Sequence, residues 1–246
     1  MNLHKCILTE NLCYKAGKKI TPKGIMVHST GANNPNLKRY VGPDDGLLGQ
    51  NAYGNHWNTA LPDGREVCVH AFIGKLADGS IATYQTLPWD YRGWHAGGLA
   101  NDTHIGFEIC EDNLTDDVYF QKVYREAVEL CAYLYKLYGL TEQDIICHSE
   151  GYDKGIASNH GDVMHWFPKH GKTMDAFRAD VKDEINRQLQ PVKDNEPATW
   201  SKDAVNWAVN NGLMVGDANW DLMLRDMLTR EQFCVMLKRY HDKFNS

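Results

Sequence analysis

Three histidines and several carboxylates fall within one short segment of the chain, CHSEGYDKGIASNHGDVMHWF, at residues 147–167. Imidazole and carboxylate groups bind metal ions and carry protons in many hydrolases. The segment is rich in glycine and asparagine, which disfavour both helix and strand. Three interpretations are open at this point: a metal site, an acid–base cluster, or a polar surface loop.

Two histidines follow apolar segments and precede polar loops, where functional side chains are often placed. His28 follows GIMV, and His148 follows DIIC. If both segments are strands of one sheet, the two imidazoles can converge at one edge of it. A catalytic zinc site has three protein ligands and a fourth position open to water. The third ligand would come from the loop after His148, where Asp162 and His160 are the leading candidates.

Glu108 stands out because it lies in the apolar segment IGFEIC. Burying a carboxylate is costly unless the group has a partner or a function. A glutamate at a strand end, paired with a lysine, is the purely structural explanation. The functional explanation is a proton shuttle, since burial near apolar side chains would raise the pKa of the carboxyl group as such a role requires.

The elements that must position these residues are predicted by hydrophobic patterns. Strands are expected in GIMVHST, EVCVHAFIG, IATYQTL, THIGFEIC and DIICHSE. A long helix is expected in DDVYFQKVYREAVELCAYLYKLYGL, ending at Gly139, and another in MDAFRADVKDEINRQLQ. Strands, then a helix, then a further strand indicate an α/β domain with a mixed central β-sheet flanked by helices.

A domain boundary is expected near QPVKDNEPATW, where two prolines bracket a polar stretch. We predict a catalytic domain at 1–190, a linker at 191–199 and a small helical module at 200–246. The module should contain two helices, with Ser201 and Thr229 as their N-caps. A module of about fifty residues is marginally stable alone, so we expect it to pack on a partner or on a second copy of itself.

Composition excludes several classes of protein. The net charge of −6 argues against nucleic-acid binding, which usually requires a basic face. No apolar run approaches the ~20 residues that span a bilayer. The N-terminal residues lack the pattern of a secretory signal, so we expect synthesis in the cytoplasm without a signal peptide.

The seven cysteines are scattered, and no CxxC pair indicates a zinc knuckle or a thioredoxin-type centre. Cys68, Cys110 and Cys147 lie among apolar residues in strand-like runs, and we expect them to be reduced core residues. Cys6 and Cys13 could pair, although nothing in the sequence requires it.

Four motifs together resemble a known family. VHST at 27–30, RGWHAGG at 92–98, HIGFEICED at 104–112 and the late CHSE…HGD are similar, in order and spacing, to motifs of zinc-dependent N-acetylmuramoyl-L-alanine amidases. This amidase-2 family shares its fold with the peptidoglycan recognition proteins. The resemblance covers roughly residues 20–185 and is strongest with the endolysins of phages and prophages. It implies Zn²⁺-dependent cleavage of bacterial peptidoglycan, at the cell wall, after holin-dependent release.

The resemblance also implies a set of metal ligands. His28 matches the first zinc ligand of the family, and His148 matches the second. HGD supplies Asp162 as the third. The interval from residue 148 to residue 162 is longer than is usual in the family, so Asp153 and His165 are the alternatives for this ligand.

Catalytic and substrate-binding roles follow from the same resemblance. Glu108 matches the acid that serves as general base and then as general acid. His160 stands where related enzymes often place a lysine that faces the substrate, and a cationic His160 would help to hold the oxyanion. Trp94 and His95 would lie on the rim of the substrate cleft, whereas a tight aromatic turn packed on the sheet is the structural alternative for them.

The last fifty residues resemble a single S-layer homology motif. Trp207 and Ala208, the Asn-Gly-Leu turn at 211–213, Gly216 and LTREQF carry the resemblance. It implies attachment to secondary cell-wall polymer or homotypic assembly. Such motifs usually occur in threes that share one core, so a single motif points to a homo-oligomer. A two-helix appendage without a ligand is the alternative.

Two other functions compete with a zinc amidase. The first is a recognition protein that binds peptidoglycan without cutting it, although such relatives typically lack one of the metal ligands. The second is a metal nuclease that uses SNHGD, against which the acidic balance of the chain counts.

Overall fold

The computed structural model describes residues 1–189 and 194–244, in two compact units at 1–187 and 188–246. Parts of the predicted domain limits, at residues 190, 191–193 and 245–246, lie outside the described residues. Within the described part of the chain, no helix is both long and apolar enough to cross a membrane.

The first unit is built on a six-stranded sheet in the order β1-β4-β3-β5-β2-β6. β3 and β4 are antiparallel, whereas the other neighbours are parallel, which confirms the predicted mixed α/β sheet. The strands are β1 (Leu3–Lys5), β2 (Gly24–Ser29), β3 (Ala71–Lys75), β4 (Ile81–Gln85), β5 (His104–Ile109) and β6 (Ile145–Cys147).

Helices flank this sheet: α1 (Leu12–Ala16), α2 (Asp117–Tyr138), α3 (His148–Asp153) and α4 (Met174–Leu189). Short 3₁₀ turns lie at Leu37–Arg39, Pro62–Gly64, Leu99–Asp102, Glu142–Asp144 and Phe167–His170. α2 ends as predicted, because Gly139 adopts a left-handed conformation and donates its N–H to the Tyr135 carbonyl. Its apolar side chains, with those of α4, form the main core against one face of the sheet.

Side-chain alternation along the strands determines which residues lie opposite α2. Val27 of β2 and Phe107 of β5 are packed in the main core. Their neighbours His28 and Glu108 therefore point to the other face, where the two residues are register partners on adjacent parallel strands. That face is the one on which functional side chains gather.

Three sequence expectations require correction. β1 was not predicted, because its three residues are too few to show a pattern. β3 begins at Ala71 rather than at residue 66, since Cys68 forms only an isolated bridge with Trp94. The strand in DIICHSE ends at Cys147, so that His148 is the first residue of α3.

The cysteines also depart from expectation at one position. Cys68 is not reduced but forms a disulfide with Cys13, which α1 brings beside it. Cys6, the other suggested partner for Cys13, is free, and Cys110 and Cys147 are free and buried as predicted. The pairing crosses 55 residues, which no local pattern reveals.

The second unit contains the two predicted helices, α5 (Lys202–Asn210) and α6 (Arg230–Phe244). Thr229 caps α6, because its hydroxyl accepts from the Gln232 N–H while the Gln232 side chain accepts from the Thr229 N–H. Ser201 occupies the N-cap position of α5 as predicted, but its side chain makes no capping hydrogen bond. Among residues 194–244, only Leu213 is buried, so this unit has almost no core of its own.

Candidate functional site

His28, His148 and Asp162 meet at the carboxyl end of the central strands. β2 and β6 are parallel neighbours, so the carboxyl ends of both strands lie at the same edge of the sheet. His28 is near the end of β2, and His148 follows β6 directly as the first residue of α3. The loop after α3 returns to this point, because the His148 N–H donates to the Asp162 carbonyl at 3.2 Å.

The three side chains direct one ligand atom each toward a common point, with all three atoms within 4.8 Å of one another. His28 Nδ1 lies 3.1 Å from Asp162 Oδ2 and 3.1 Å from His148 Nδ1. Two imidazole nitrogens this close repel each other unless a proton or a cation lies between them. Two buried imidazoles and one carboxylate also match the donor set of a catalytic zinc site, so this cluster could bind a metal ion.

The protonation states suit metal binding, because metal ligands must be deprotonated. Burial lowers the pKa of His28, against the opposing influence of Asp162. Burial alone would raise the pKa of Asp162, but the adjoining His148 and His28 side chains outweigh it and hold that pKa well below its usual value. Before any metal binds, the cluster therefore favours a neutral His28 and an ionised Asp162.

The two alternative third ligands lie elsewhere. Asp153 lines a separate groove beside α4. His165 Nε2 is 2.8 Å from Glu111 Oε1, and this contact turns the imidazole to a different partner. Of the three candidates, the structure places only Asp162 with His28 and His148.

Glu108 lies beside this cluster as the register partner of His28 on β5. Its Oε2 is buried and has no hydrogen-bond partner among the described residues, so the lysine pair of the purely structural explanation is not formed. Burial raises the pKa of Glu108 well above its usual value, and the charges of Asp162 and Glu111 raise it further. A carboxyl group with a raised pKa is suited to take up a proton and return it, as a general base and then a general acid do.

The cluster forms part of the wall of a cleft of about 650 Å³. In the described chain, four buried side-chain atoms lack a hydrogen-bond partner, and all four residues line this cleft: Ser29 Oγ, Tyr40 OH, Trp57 Nε1 and Glu108 Oε2. Buried polar groups are normally paired, so their concentration in one cleft indicates a place for a polar ligand. Sequence reasoning assigned no role to Ser29, Tyr40 and Trp57. Ser29 is the last residue of β2, whereas Tyr40 and Trp57 lie in irregular segments, which carry no periodic signal.

Trp94 and His95 reach the cleft from the motif RGWHAGG. Trp94 is half-buried, and its backbone pairs with that of Cys68. His95 lies against the metal-site cluster, with its Nδ1 2.9 Å from His28 Nε2. The glycines of the motif have a packing role, because a Cβ on Gly98 would come within 2.5 Å of the Ile156 carbonyl oxygen.

His160 is exposed at the mouth of the cleft. Its Nδ1 is 3.0 Å from Ser158 Oγ, and its ring centroid is 4.6 Å from that of His148. The side chain can therefore meet a ligand in the cleft without being one of the three converging groups.

Comparison with known proteins agrees with the fold. Residues 18–165 match the family model Amidase_2, described as N-acetylmuramoyl-L-alanine amidase. The structure of hydrolase AmiA from Staphylococcus aureus, solved with its ligand, is similar with a TM-score of 0.57 and 17% identity, covering 77% of this chain and 85% of that one.

Two further structures are similar. PlyL gives a TM-score of 0.51 at 20% identity, covering 74% of this chain and 96% of that chain. The catalytic domain of XlyA gives 0.50 at 23% identity, covering 74% and 99%. At these identities the three structures establish the fold alone. No match was found among curated proteins.

Proposed function

The chain belongs to the N-acetylmuramoyl-L-alanine amidase family, a family of peptidoglycan amidases, and from that premise we propose that it hydrolyses the amide bond between N-acetylmuramic acid and L-alanine with a bound Zn²⁺. The observation that carries the proposal is the convergence of His28, His148 and Asp162 in a cleft that also holds Glu108. A protein that only binds peptidoglycan has no use for a complete ligand set next to an unpaired carboxyl group.

The residues present fit the proposed metal, and His28, His148 and Asp162 would hold it. Zn²⁺ would act there as a Lewis acid and lower the pKa of a water molecule toward ~7. Glu108 removes a proton from the attacking water and then donates it to the leaving amine of L-alanine. His160, at the mouth of the cleft, stabilises the negative charge that develops on the carbonyl oxygen.

The walls of the cleft would bind the substrate. Tyr40, Trp57 and Ser29 supply unpaired polar groups for the hydroxyl and amide groups of a muramoyl peptide. Trp94 adds an aromatic surface at the rim, as the sequence motif implies. The resemblance to endolysins supports a cell-wall lytic role after release from the cell that makes the protein.

Digestion of purified peptidoglycan tests the reaction. We expect the Zn²⁺-loaded protein to release stem peptides with a new L-alanine amino terminus, detected by mass spectrometry, and the chelator-treated protein to release none. New reducing sugar ends would instead indicate a glycosidase. Sedimentation of the protein with peptidoglycan, without any new terminus, would indicate the binding-only alternative.

For the second unit we propose attachment to secondary cell-wall polymer. We also propose that copies of this unit associate, so that their single motifs bury apolar side chains against one another. Its lack of a core supports this, since Trp200 and Trp220 are 91% and 77% exposed. Light scattering of the intact protein and of a variant that ends at residue 187 should show an oligomer only for the intact chain. Monomeric masses for both proteins would contradict self-association.

A further inference from the structure

His28 and His148 are oriented in the same way. Each directs Nδ1 toward Asp162, at 3.1 Å for His28 and 3.5 Å for His148. Each also turns Nε2 away from the cluster to a partner outside it. His28 Nε2 lies 2.9 Å from His95 Nδ1, and His148 Nε2 lies 3.2 Å from Ser158 Oγ.

The partner of His28 is held in one tautomer by a backbone carbonyl. His95 Nε2 lies 3.2 Å from the His104 carbonyl oxygen, which can only accept a hydrogen bond. A neutral His95 therefore carries its proton on Nε2 and has a lone pair on Nδ1. That lone pair accepts from His28 Nε2–H, and consequently the free lone pair of His28 is on Nδ1, the atom that faces Asp162.

Ser158 acts in the same way on His148. Its hydroxyl donates to the Ala96 carbonyl at 3.1 Å, and His160 Nδ1 at 3.0 Å is a second possible acceptor. While the proton is on either of these bonds, the hydroxyl oxygen can accept from His148 Nε2–H. The Ser158 N–H also donates to the Ala96 carbonyl at 2.8 Å, which ties the loop after α3 to the segment that carries His95.

The surrounding backbone is shaped for both partners. The Asn101 side-chain oxygen accepts from the His95 and Ala96 N–H groups at 2.9 and 2.8 Å. A Cβ on Gly106 of β5 would collide with the imidazole of His95, and one on Gly97 would lie 2.7 Å from Ser158 Oγ. Glycine at these two positions lets the imidazole and the hydroxyl approach the metal-site histidines.

We propose that His95 and Ser158 are positioning residues that hold His28 and His148 in the Nε2–H tautomer, with both Nδ1 lone pairs directed at the metal position. The proposal rests on the proposed Zn²⁺ site but not on the reaction that the site performs. Residues that accept from a metal-ligating histidine typically change metal affinity by about 10–100-fold when replaced.

Two substitutions at His95 separate hydrogen bonding from packing. In His95→Asn, the amide oxygen can take the place of Nδ1 and still accept from His28. In His95→Gln, the amide nitrogen can take the place of Nε2, but the acceptor is lost. We expect the full-length His95→Gln and Ser158→Ala variants to bind Zn²⁺ about 10–100-fold more weakly in a chelator competition, with His95→Asn within a few fold of the parent. His4→Gln, on the edge strand β1, is the control and should bind like the parent.

A second readout reports the tautomer directly. In the Zn²⁺-bound parent, ¹⁵N chemical shifts should show His28 and His148 protonated on Nε2 and bound to the metal through Nδ1, and His95→Gln should disturb this pattern at His28. Equal losses of Zn²⁺ affinity in His95→Asn and His95→Gln, unchanged affinity in His95→Gln, or Zn²⁺ bound through Nε2 in the parent would each overturn the proposal. A parent that binds no Zn²⁺ would overturn the proposed metal site together with it. A parent that binds Zn²⁺ and cuts nothing would overturn the amidase function alone.

Discussion

Replacement of Glu108 by glutamine is expected to lower kcat for the hydrolysis of muramoyl peptides by about 10²–10⁴-fold, the usual contribution of a general acid–base group. The substitution keeps the shape of the side chain and removes the proton acceptor next to His28. Zn²⁺ affinity should change little, because Glu108 is not one of the three converging groups. Single-turnover assays on a muramoyl peptide, together with a Zn²⁺ titration, measure both quantities.

The matched control is Glu126→Gln, a buried glutamate of α2 that binds the Asn2 N–H and the Thr83 hydroxyl. It lies outside the cleft, so kcat should be preserved even if stability falls. If Glu108→Gln kept the parental kcat, another group would have to be the base and the proposed mechanism would be wrong.

The same variant has an expected pH signature in the metal-free protein. Because the pKa of Glu108 is raised in the folded state, the folded chain retains a proton that the unfolded chain releases above its ordinary pKa near ~4.3. The stability of the parent should therefore fall as the pH rises from about 4.3 toward the raised pKa of Glu108 in the folded protein, whereas a glutamine side chain does not titrate. We expect Glu108→Gln to be more stable relative to the parent at pH 8 than it is at pH 4. Denaturant unfolding at the two pH values measures this difference.

Replacement of Asp162 by asparagine should weaken Zn²⁺ binding by roughly 10³-fold or more and abolish hydrolysis at limiting metal. The apparent free energy of Zn²⁺ binding to a full ligand set is about 10–16 kcal/mol, so one charged ligand accounts for several kcal/mol of it. Asparagine keeps the size of the side chain but loses the charge that the two imidazoles face. Chelator competition and metal analysis after dialysis are the measurements.

Asp153→Asn and His165→Gln are the matched controls, because these residues are the alternative third ligands in sequence and lie outside the cluster. Both variants should retain Zn²⁺ and activity. Loss of metal from Asp153→Asn, with Asp162→Asn unaffected, would show that the loop rearranges when metal binds and that the ligand set is different.

The sequence alone was sufficient to predict the fold class and to identify the polar residues that lie in or directly after the central strands. Apolar runs placed His28 at the end of a strand, His148 after another and Glu108 inside a third, because burial on both faces of a parallel sheet requires near-continuous apolar segments. A polar side chain inside such a segment is visible without any structure. The helical periods of α2 and α6 and the glycine that ends α2 were equally local signals.

Only the tertiary structure decided how the loops meet. Asp162, rather than Asp153 or His165, joins His28 across 134 residues, and His95 turns to His28 across 67. Cys13 and Cys68 likewise form their disulfide between distant segments, and the spacing of the cysteines in the sequence does not predict this pair. The physical reason is that irregular backbone has no period: its path is set by single hydrogen bonds and close approaches to remote residues, such as those of Ser158 to Ala96 and of Gly106 to His95. These contacts exist only once the sheet has brought the segments together.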